Sequence, residues 1–384
     1  MFVTEAVETH QMPAPFSPQK PLEQWIAQFI QPSLLAAKSY QLDAPGVEIK
    51  LDQNESPYDW PLEFKERVLK SLSRKPWNRY PEPYPNALAA LVAKDVGLCS
   101  DKEIILGPGS NYMITLLMDA LCRKPGTRLI ISRPSFPLYE SHATYSGLAF
   151  VNWHLSADLE FDLSLIPPLG AGSVVLFASP NNPVGNSLSS ANLASLLSAN
   201  PEALFIADEA YFEFSDDPYT NLLATFHNLV IIRTFSKALG AAGVRLGYVM
   251  GSEPLLNEVR KLRLPYLLNQ FSIAAAETVL SSPDIRKFFR DSVLAIRTER
   301  DRVYKALLPL SVAHGFTTKP TQANFLLLKW KDNSAALAVH RELVARNILI
   351  RNVSGAPGMT GCLRVTISTH SENDWFLEAF AAAI

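Results

Sequence analysis

Lys237 is the residue whose setting most clearly indicates chemistry. It follows the apolar residues 229–232 and precedes a glycine-rich stretch, residues 240–247. The amine of a lysine in this position can form a Schiff base with a carbonyl compound. Ser236 and Arg245 add a hydroxyl and a guanidinium that can hold an anion. On this segment alone, a solvated surface lysine remains an alternative.

Three more polar side chains follow apolar runs that resemble buried strands. Asp208 and Tyr211 come after residues 203–207, and Asn182 lies between two prolines after residues 173–178. A carboxylate at the end of a buried strand needs a cationic partner, such as a protonated pyridine nitrogen. The amide and the phenol can hydrogen-bond an oxygen of the same ring. The alternatives are a turn for Asn182 and a capping carboxylate for Asp208.

A glycine-rich loop also follows a strand-like run. The loop Gly107-Pro108-Gly109-Ser110-Asn111 lies between a strand-like run, residues 103–106, and a helix predicted over 111–121. Glycines allow a tight turn, and the free N–H groups of the next helix can bind a phosphate. The loop lacks the Gly-Lys-Ser/Thr of a Walker motif, and a simple turn is its alternative. An anion-binding loop together with Asn182, Asp208 and Lys237 indicates one ligand, a phosphorylated pyridine aldehyde bound by the lysine.

The order of apolar runs indicates an α/β fold. Continuous Val, Ile and Leu segments predict strands of a mainly parallel sheet, buried on both faces and flanked by helices; the segments are 103–106, 128–132, 149–153, 173–178, 203–207, 229–232 and 245–250. Residues 189–198 predict a helix capped by serines, and the spacing of apolar residues in 21–37 predicts a further helical stretch. Beyond residue 283 a long charged helix, two strands and another helix predict a smaller α+β domain. We expect a mobile arm at 1–20, a segment at 21–50 that joins the small domain, a large domain at 51–282 and a small domain at 283–384.

Composition narrows the class of protein. The 384 residues carry a net charge of −2, with a pI of about 6.4, so nothing indicates nucleic acid or an anionic membrane as a partner. Three scattered cysteines without a CxxC spacing indicate free thiols, and no metal site is predicted. The N-terminus lacks the pattern of a secretory signal, and no run is long enough to span a membrane. We therefore expect a cytoplasmic protein.

Together these loops resemble the fold-type I aminotransferases that use pyridoxal 5′-phosphate, and most of all the histidinol-phosphate aminotransferase family. The resemblance covers nearly the whole chain and rests on seven segments: Asn54-Glu55-Ser56-Pro57-Tyr58, Arg79-Tyr80-Pro81, Gly109-Ser110-Asn111, Pro180-Asn181-Asn182-Pro183, Asp208-Glu209-Ala210-Tyr211, Thr234–Lys237 and Leu363-Arg364-Val365-Thr366. It implies an aspartate-aminotransferase-like fold, with a seven-stranded sheet in the large domain. It also implies a homodimer.

The resemblance implies a role for each site residue. Lys237 would bind the cofactor and move the proton, Asp208 would pair with the pyridinium nitrogen, and Asn182 and Tyr211 would bind the ring oxygen O3′. The cofactor phosphate and ring would be held by a further set of residues, namely Gly109, Ser110, Asn111, Ser236, Arg245, a stacking Phe136 and Tyr58 of the partner subunit. Arg364, Arg351 and Tyr40 would bind substrate, although a solvated charge is an equal alternative for Arg351.

The implied reaction is transamination of L-histidinol phosphate with 2-oxoglutarate, giving imidazole acetol phosphate and L-glutamate in histidine biosynthesis. An aromatic or broad-range amino-acid aminotransferase is the alternative, and a decarboxylase or lyase acting on a phosphorylated amino acid is a more remote one. A transcription regulator with an aminotransferase-like sensor domain is disfavoured, because residues 1–20 are too few and too proline-rich for a DNA-binding module.

Overall fold

The computed structural model describes residues 21–37 and 46–384. The chain divides into two compact units, one within Met1–Gln41 and one within Leu42–Ile384. The predicted arm at residues 1–20 and the predicted substrate residue Tyr40 lie outside the described residues.

The described residues form twelve strands, which lie in two sheets. In chain order they are β1 Ile49–Leu51, β2 Ile104–Gly107, β3 Arg128–Arg133, β4 Phe150–His154, β5 Ser173–Ala178, β6 Leu204–Asp208, β7 Leu229–Thr234, β8 Gly247–Gly251, β9 Phe316–Thr318, β10 Phe325–Trp330, β11 Ile348–Asn352 and β12 Cys362–Thr366.

The same residues form twelve α-helices. They are α1 Leu22–Ile26, α2 Pro32–Leu35, α3 Leu62–Ser73, α4 Asn86–Val96, α5 Ser110–Leu121, α6 Pro137–Tyr145, α7 Ser190–Ala199, α8 Glu253–Arg260, α9 Gln270–Ser281, α10 Pro283–His314, α11 Asn333–Ala345 and α12 His370–Ala383. None of these helices combines the length and apolarity that a membrane span requires. In residues 21–37 and 46–384, no group of His, Cys, Asp and Glu side chains has the arrangement of a metal site.

The larger sheet has seven strands in the order β2-β8-β7-β6-β5-β3-β4. Strand β8 runs antiparallel to β2 and β7, and the remaining pairs are parallel. Every residue of β5, β7 and β8 is buried, as the continuous apolar runs predict for strands covered on both faces. Two separate clusters of buried side chains lie on the two faces. The predicted seven-stranded α/β architecture is confirmed.

The smaller sheet has five strands in the order β1-β11-β12-β10-β9. Strand β1, which comes from the N-terminal part of the chain, pairs in parallel with β11, and β12 is antiparallel to both β11 and β10. A third buried cluster, including Ile296 and Val303 of α10, packs against this sheet. The domain boundaries at residues 50 and 282 stay predictions.

Parallel pairing positions the loops that carry the site. Ala178 at the end of β5 lies opposite Asp208 at the end of β6, and Asp208 lies opposite Ile232 of β7. Because the carboxyl ends of parallel strands share one edge of a sheet, the loops after β5, β6 and β7 emerge side by side.

Two sequence-based expectations about elements need correction. Residues 21–37 were expected to form one helical stretch, but they form the short helices α1 and α2, because Pro32 lacks the N–H needed to continue a helix and instead begins α2. The run 245–250 begins as a strand only at Gly247, since Arg245 has a left-handed backbone with φ 57°. Strands β1 and β9 were not predicted, because three residues carry too little pattern.

Candidate active site

The centre of the candidate site is a buried carboxylate, Asp208, the last residue of β6. The main-chain N–H of Ala210 donates to its Oδ1 at 3.1 Å, and the hydroxyl of Tyr139 on α6 donates to its Oδ2 at 2.6 Å. Burial raises the pKa of Asp208 to about 6, and these two hydrogen bonds oppose that rise. A carboxylate in this position is suited to a cationic ligand group, because a cation would remove the cost of burying its charge.

Lys237 lies in the loop after β7, and its side chain is partly buried. Its Nζ donates to the main-chain oxygen of Gln53 at 2.8 Å and lies 5.9 Å from the centre of the Tyr211 ring. Burial, with repulsion from Arg364, lowers the pKa of Lys237 to about 8. About a tenth of the amine is therefore neutral at pH 7, far more than at the ordinary pKa of a lysine, and the neutral form is the one that attacks a carbonyl carbon.

A buried ion pair fixes the two strands from which these groups emerge. Arg233 on β7 donates from Nε at 2.9 Å and from Nη2 at 2.6 Å to the Glu209 carboxylate, and its guanidinium lies 3.5 Å from the Phe212 ring centre. Glu209 directly follows Asp208. Two hydrogen bonds and the contact with the Phe212 ring restrict the guanidinium to one orientation. The ion pair therefore fixes the position of the loop after β6 relative to β7.

Asn182 and Arg364 connect the loop after β5 to the smaller sheet. Arg364 on β12 donates from Nη1 to Oδ1 of Asn182 at 2.5 Å and from Nη2 to the main-chain oxygen of Asp52 at 2.6 Å. The other asparagine of the loop has a structural role, because Asn181 donates to the oxygen of Pro134 at 3.1 Å and accepts from the N–H of Val184 at 3.2 Å.

Tyr211 is buried, and its hydroxyl accepts a hydrogen bond of 2.9 Å from Nδ2 of Asn54. Phe136 precedes α6, and its ring makes an edge-on contact with Tyr139 at 5.7 Å between ring centres. Phe136 and Asp208 are thus joined through one tyrosine. Sequence reasoning gave no role to Tyr139, although its spacing of three residues from Phe136 places both side chains on one face of a helical turn.

The glycine-rich loop lies where β2, β7 and β8 meet. Gly109 has φ 89° and precedes α5, whose first residue is Ser110. A Cβ on Gly109 would lie 2.8 Å from Nη2 of Arg245, and a Cβ on Gly247 would lie 2.6 Å from the main-chain nitrogen of Ser110. Because Gly109 has no side chain, the guanidinium of Arg245 can lie beside it, at the N-terminus of the twelve-residue helix α5. A guanidinium next to a helix N-terminus favours a bound anion.

The remaining predicted phosphate ligands differ in burial. Ser236 is buried and accepts a hydrogen bond of 3.0 Å from the hydroxyl of Thr234, whereas Asn111 is exposed in the first turn of α5. Tyr58 packs against the core of the smaller sheet, and in the described part of the chain it makes no hydrogen bond to Ser110, Ser236 or Arg245.

These residues fit pyridoxal 5′-phosphate. The buried Asp208 carboxylate suits its ring nitrogen, and Lys237 has the lowered pKa that carbonyl attack needs. The space left by Gly109 beside Arg245 suits its phosphate.

Comparisons with known proteins agree with this geometry. The model of the family "Aminotransferase class I and II" matches residues 47–380. Histidinol-phosphate aminotransferase of Chlorobium phaeovibrioides is 35% identical over 93% of this chain and 97% of its own length. Histidinol-phosphate aminotransferase 1 of Ralstonia nicotianae is 36% identical over 97% of this chain and 98% of its own length.

Among solved structures, histidinol-phosphate aminotransferase from Sinorhizobium meliloti, in complex with pyridoxal 5′-phosphate, has the same fold. Its TM-score is 0.79 at 22% identity, over 92% of this chain and 97% of that one. The chain therefore belongs to the class I and II aminotransferase family, whose members use pyridoxal 5′-phosphate.

Proposed function

We propose that this aminotransferase converts L-histidinol phosphate and 2-oxoglutarate into imidazole acetol phosphate and L-glutamate. The observation that carries the proposal is the cross-strand pairing of Arg351 on β11 with Arg364 on β12. Residues directly opposite each other in an antiparallel pair lie on the same face of the sheet. Two guanidinium groups on one face suit the phosphate of histidinol phosphate, whereas the single α-carboxylate of an amino acid needs one.

Each residue has a task that follows from its surroundings. When bound, pyridoxal 5′-phosphate supplies a carbonyl carbon and an electron-accepting ring. Asp208 would pair with the positive charge on the ring nitrogen, and Lys237 in its neutral form would take the proton from the substrate carbon Cα and deliver it to carbon C4′ of the cofactor. Arg364 binds the substrate anion and also donates a hydrogen bond to Asn182, which binds the ring oxygen O3′. The contact between Arg364 and Asn182 therefore connects the substrate site with the cofactor ring.

A set of glycine-loop residues would hold the cofactor phosphate: the N–H groups at Ser110 and Asn111, the hydroxyls of Ser110 and Ser236, and the guanidinium of Arg245. Helix N-termini and guanidinium groups are both anion ligands. Phe136 would cover the ring face, since it lies beside Tyr139 and through it beside Asp208.

The substrate assignment is tested by comparing histidinol phosphate, phenylalanine and tyrosine as amino donors to 2-oxoglutarate. We expect the highest kcat/KM for histidinol phosphate. Faster turnover of the aromatic amino acids would favour the aromatic aminotransferase instead, and release of carbon dioxide without an oxo-acid acceptor would favour a decarboxylase.

We also propose that the enzyme is a cytoplasmic homodimer with shared active sites, in which Tyr58 binds the cofactor phosphate of the partner subunit. Exposed apolar side chains support this proposal, among them Trp77, Tyr80, Leu262, Leu264 and Tyr266. Tyr80 and Tyr266 are stacked at 4.7 Å between ring centres and so form an exposed aromatic pair. Exposed apolar groups that pack together in this way are typical of protein interfaces.

Mixing two inactive variants tests the shared site. Tyr58→Ala and Lys237→Ala subunits, unfolded and refolded together, should form mixed dimers with one intact site. Random pairing should restore about a quarter of the wild-type activity. Refolding each variant alone is the control. No recovery from mixed dimers demonstrated by mass spectrometry would place Tyr58 in the site of its own chain.

A further inference from the structure

Three consecutive residues after β1 each contact a different residue of the proposed site. The main-chain oxygen of Asp52 accepts from Arg364, and that of Gln53 accepts from Lys237. Asn54 donates from its side chain to Tyr211. The first two contacts use the main chain, which any residue supplies. Only the contact of Asn54 depends on the identity of its side chain.

Asn54 is held in one orientation. It is 1% exposed, and its backbone has φ 54°, a left-handed conformation that asparagine tolerates better than most residues. Its N–H donates to Oγ1 of Thr366 at 3.0 Å, and its main-chain oxygen accepts from Nδ2 of Asn324 at 3.1 Å. These contacts fix the backbone from two sides.

The Thr366 hydroxyl also determines which end of the Asn54 amide faces Tyr211. Because Oγ1 of Thr366 accepts from the Asn54 N–H, its own proton can be donated to Oδ1 of Asn54, 3.1 Å away. The Nδ2 group then faces the Tyr211 oxygen at 2.9 Å. Reversing the amide would remove the acceptor of the Thr366 proton.

The Asn54 amide donates to the hydroxyl oxygen of Tyr211. The proton of that hydroxyl therefore points away from Asn54. We propose that Asn54 is a positioning residue that makes the Tyr211 hydroxyl a donor toward the O3′ oxygen of bound pyridoxal 5′-phosphate. This inference rests on the proposed role of Tyr211. Thr366 on β12 of the smaller sheet orients the Asn54 amide, and the amide in turn determines that Tyr211 donates its proton toward O3′.

The charged and titratable groups near Tyr211 come from several elements. The Nζ of Lys237, in the loop after β7, lies 5.9 Å from the centre of its ring. Tyr139 on α6 interacts electrostatically with both Tyr211 and Asp208 of β6, and Arg364 on β12 repels the charge of Lys237. Asn54 carries no charge and Asn54→Asp can add one, so the neutral variant Thr366→Val is needed to separate the effect of the hydrogen bond from the effect of a charge.

A hydrogen bond from Tyr211 to the O3′ oxygen of the cofactor would stabilise the negative charge on that oxygen. It would therefore lower the pH at which the absorbance of the bound cofactor titrates. Asn54→Asp keeps the shape but presents two acceptors, so the Tyr211 proton would turn toward residue 54. Thr366→Val keeps Asn54 and removes the hydroxyl that orients its amide. We expect both variants to raise the midpoint of the pH titration of bound-cofactor absorbance, Asn54→Asp by about one pH unit or more.

The experiment compares six proteins by this titration and by cofactor affinity of the apoprotein: wild type, Asn54→Asp, Thr366→Val, Tyr211→Phe, Asn324→Ala and the double variant Thr366→Val/Tyr211→Phe. Asn324→Ala removes a contact of the Asn54 backbone only, so its midpoint should equal that of wild type. Adding Thr366→Val to Tyr211→Phe should cause no further rise of the midpoint, because the Tyr211 donor is already absent and the added change is neutral.

The outcomes separate the inference from the proposed function. A shift in Tyr211→Phe without a shift in Asn54→Asp and Thr366→Val would overturn the inference alone. No shift in Tyr211→Phe would overturn both the role of Tyr211 and the inference. If Asn54→Asp does not fold, an unchanged midpoint in Thr366→Val would by itself overturn the inference.

Discussion

The hydroxyl of Tyr139 donates a 2.6 Å hydrogen bond to the carboxylate of Asp208, and both groups are buried. Burial and the neighbouring carboxylate raise the pKa of Tyr139, so this hydroxyl stays protonated and acts toward Asp208 as a donor. The bond favours the charged form of Asp208, which is the form that pairs with a protonated ring nitrogen.

Replacing Tyr139 by phenylalanine should weaken the charge on Asp208. A hydrogen bond to a charged group contributes about 1.5–3 kcal/mol, so we expect kcat/KM to fall by roughly ten-fold or more and cofactor affinity to fall with it. Steady-state kinetics and cofactor titration of the apoprotein measure both. Tyr304→Phe on α10 is the matched control. Equal kinetics for Tyr139→Phe and wild type would show that Asp208 needs no support from Tyr139.

The reactivity of Lys237 in the apoprotein should have an unusual pH dependence. Only the neutral amine reacts with trinitrobenzenesulfonate, and the pKa of Lys237 is lowered from 10.5 to about 8. Labelling should therefore rise as the pH increases through about 8. Peptide mass spectrometry measures labelling at Lys237, with the exposed Lys305 in the same sample as reference. Parallel profiles for the two lysines would contradict a lowered pKa.

The close packing at Gly247 gives a prediction with a matched control. A Cβ on Gly247 would lie 2.6 Å from the Ser110 nitrogen and 2.7 Å from the Gly109 carbon, whereas a Cβ on Gly243 meets no atom within 4 Å. Gly247→Ala should displace the N-terminus of α5 and weaken cofactor binding by ten-fold or more, about 1.4 kcal/mol. Gly243→Ala should bind as wild type does. Equal affinities for the two variants would show that this end of α5 does not hold the phosphate.

The two arginines of the smaller sheet should differ in their effects on substrates. Arg364→Lys loses the fork that binds Asn182 and Asp52 together, so kcat/KM should fall by about a hundred-fold or more for both the amino donor and 2-oxoglutarate. Arg351→Gln should selectively impair histidinol phosphate. Single-turnover measurements of each half-reaction separate these effects, with the exposed Arg346→Gln as control. Equal losses on both substrates in Arg351→Gln would contradict a phosphate-specific role.

Much of this architecture was predictable, because buried parallel strands have a strong sequence pattern. The run 173–178 corresponds to β5 without any shift, and the predicted cap of α7 is present, since Ser189 accepts from the N–H of Asn192 at 3.2 Å. Strand β1 carried no comparable pattern. Its place beside β11 depends on pairing across nearly 300 residues, and local periodicity contains no information about such a contact.

For the site, the sequence indicated the residues but not the contacts between them. Lys237, Asp208 and Asn182 were identifiable because each lies at the end of a buried strand or shortly after it. The contacts of Asp52, Gln53 and Asn54 with Arg364, Lys237 and Tyr211 depend on how the smaller sheet meets the larger one. Tyr139 lay in a helix among other aromatic residues, and only the folded chain distinguishes it from them.

Covalent attachment of the cofactor is the claim on which the whole account depends. Purified enzyme saturated with pyridoxal 5′-phosphate should be yellow, and borohydride should abolish its visible absorbance while fixing the cofactor to the protein. Peptide mass spectrometry should then find the added mass on Lys237, and a folded Lys237→Ala variant should show neither attachment nor turnover. Attachment at another lysine, or wild-type turnover by Lys237→Ala, would contradict the account.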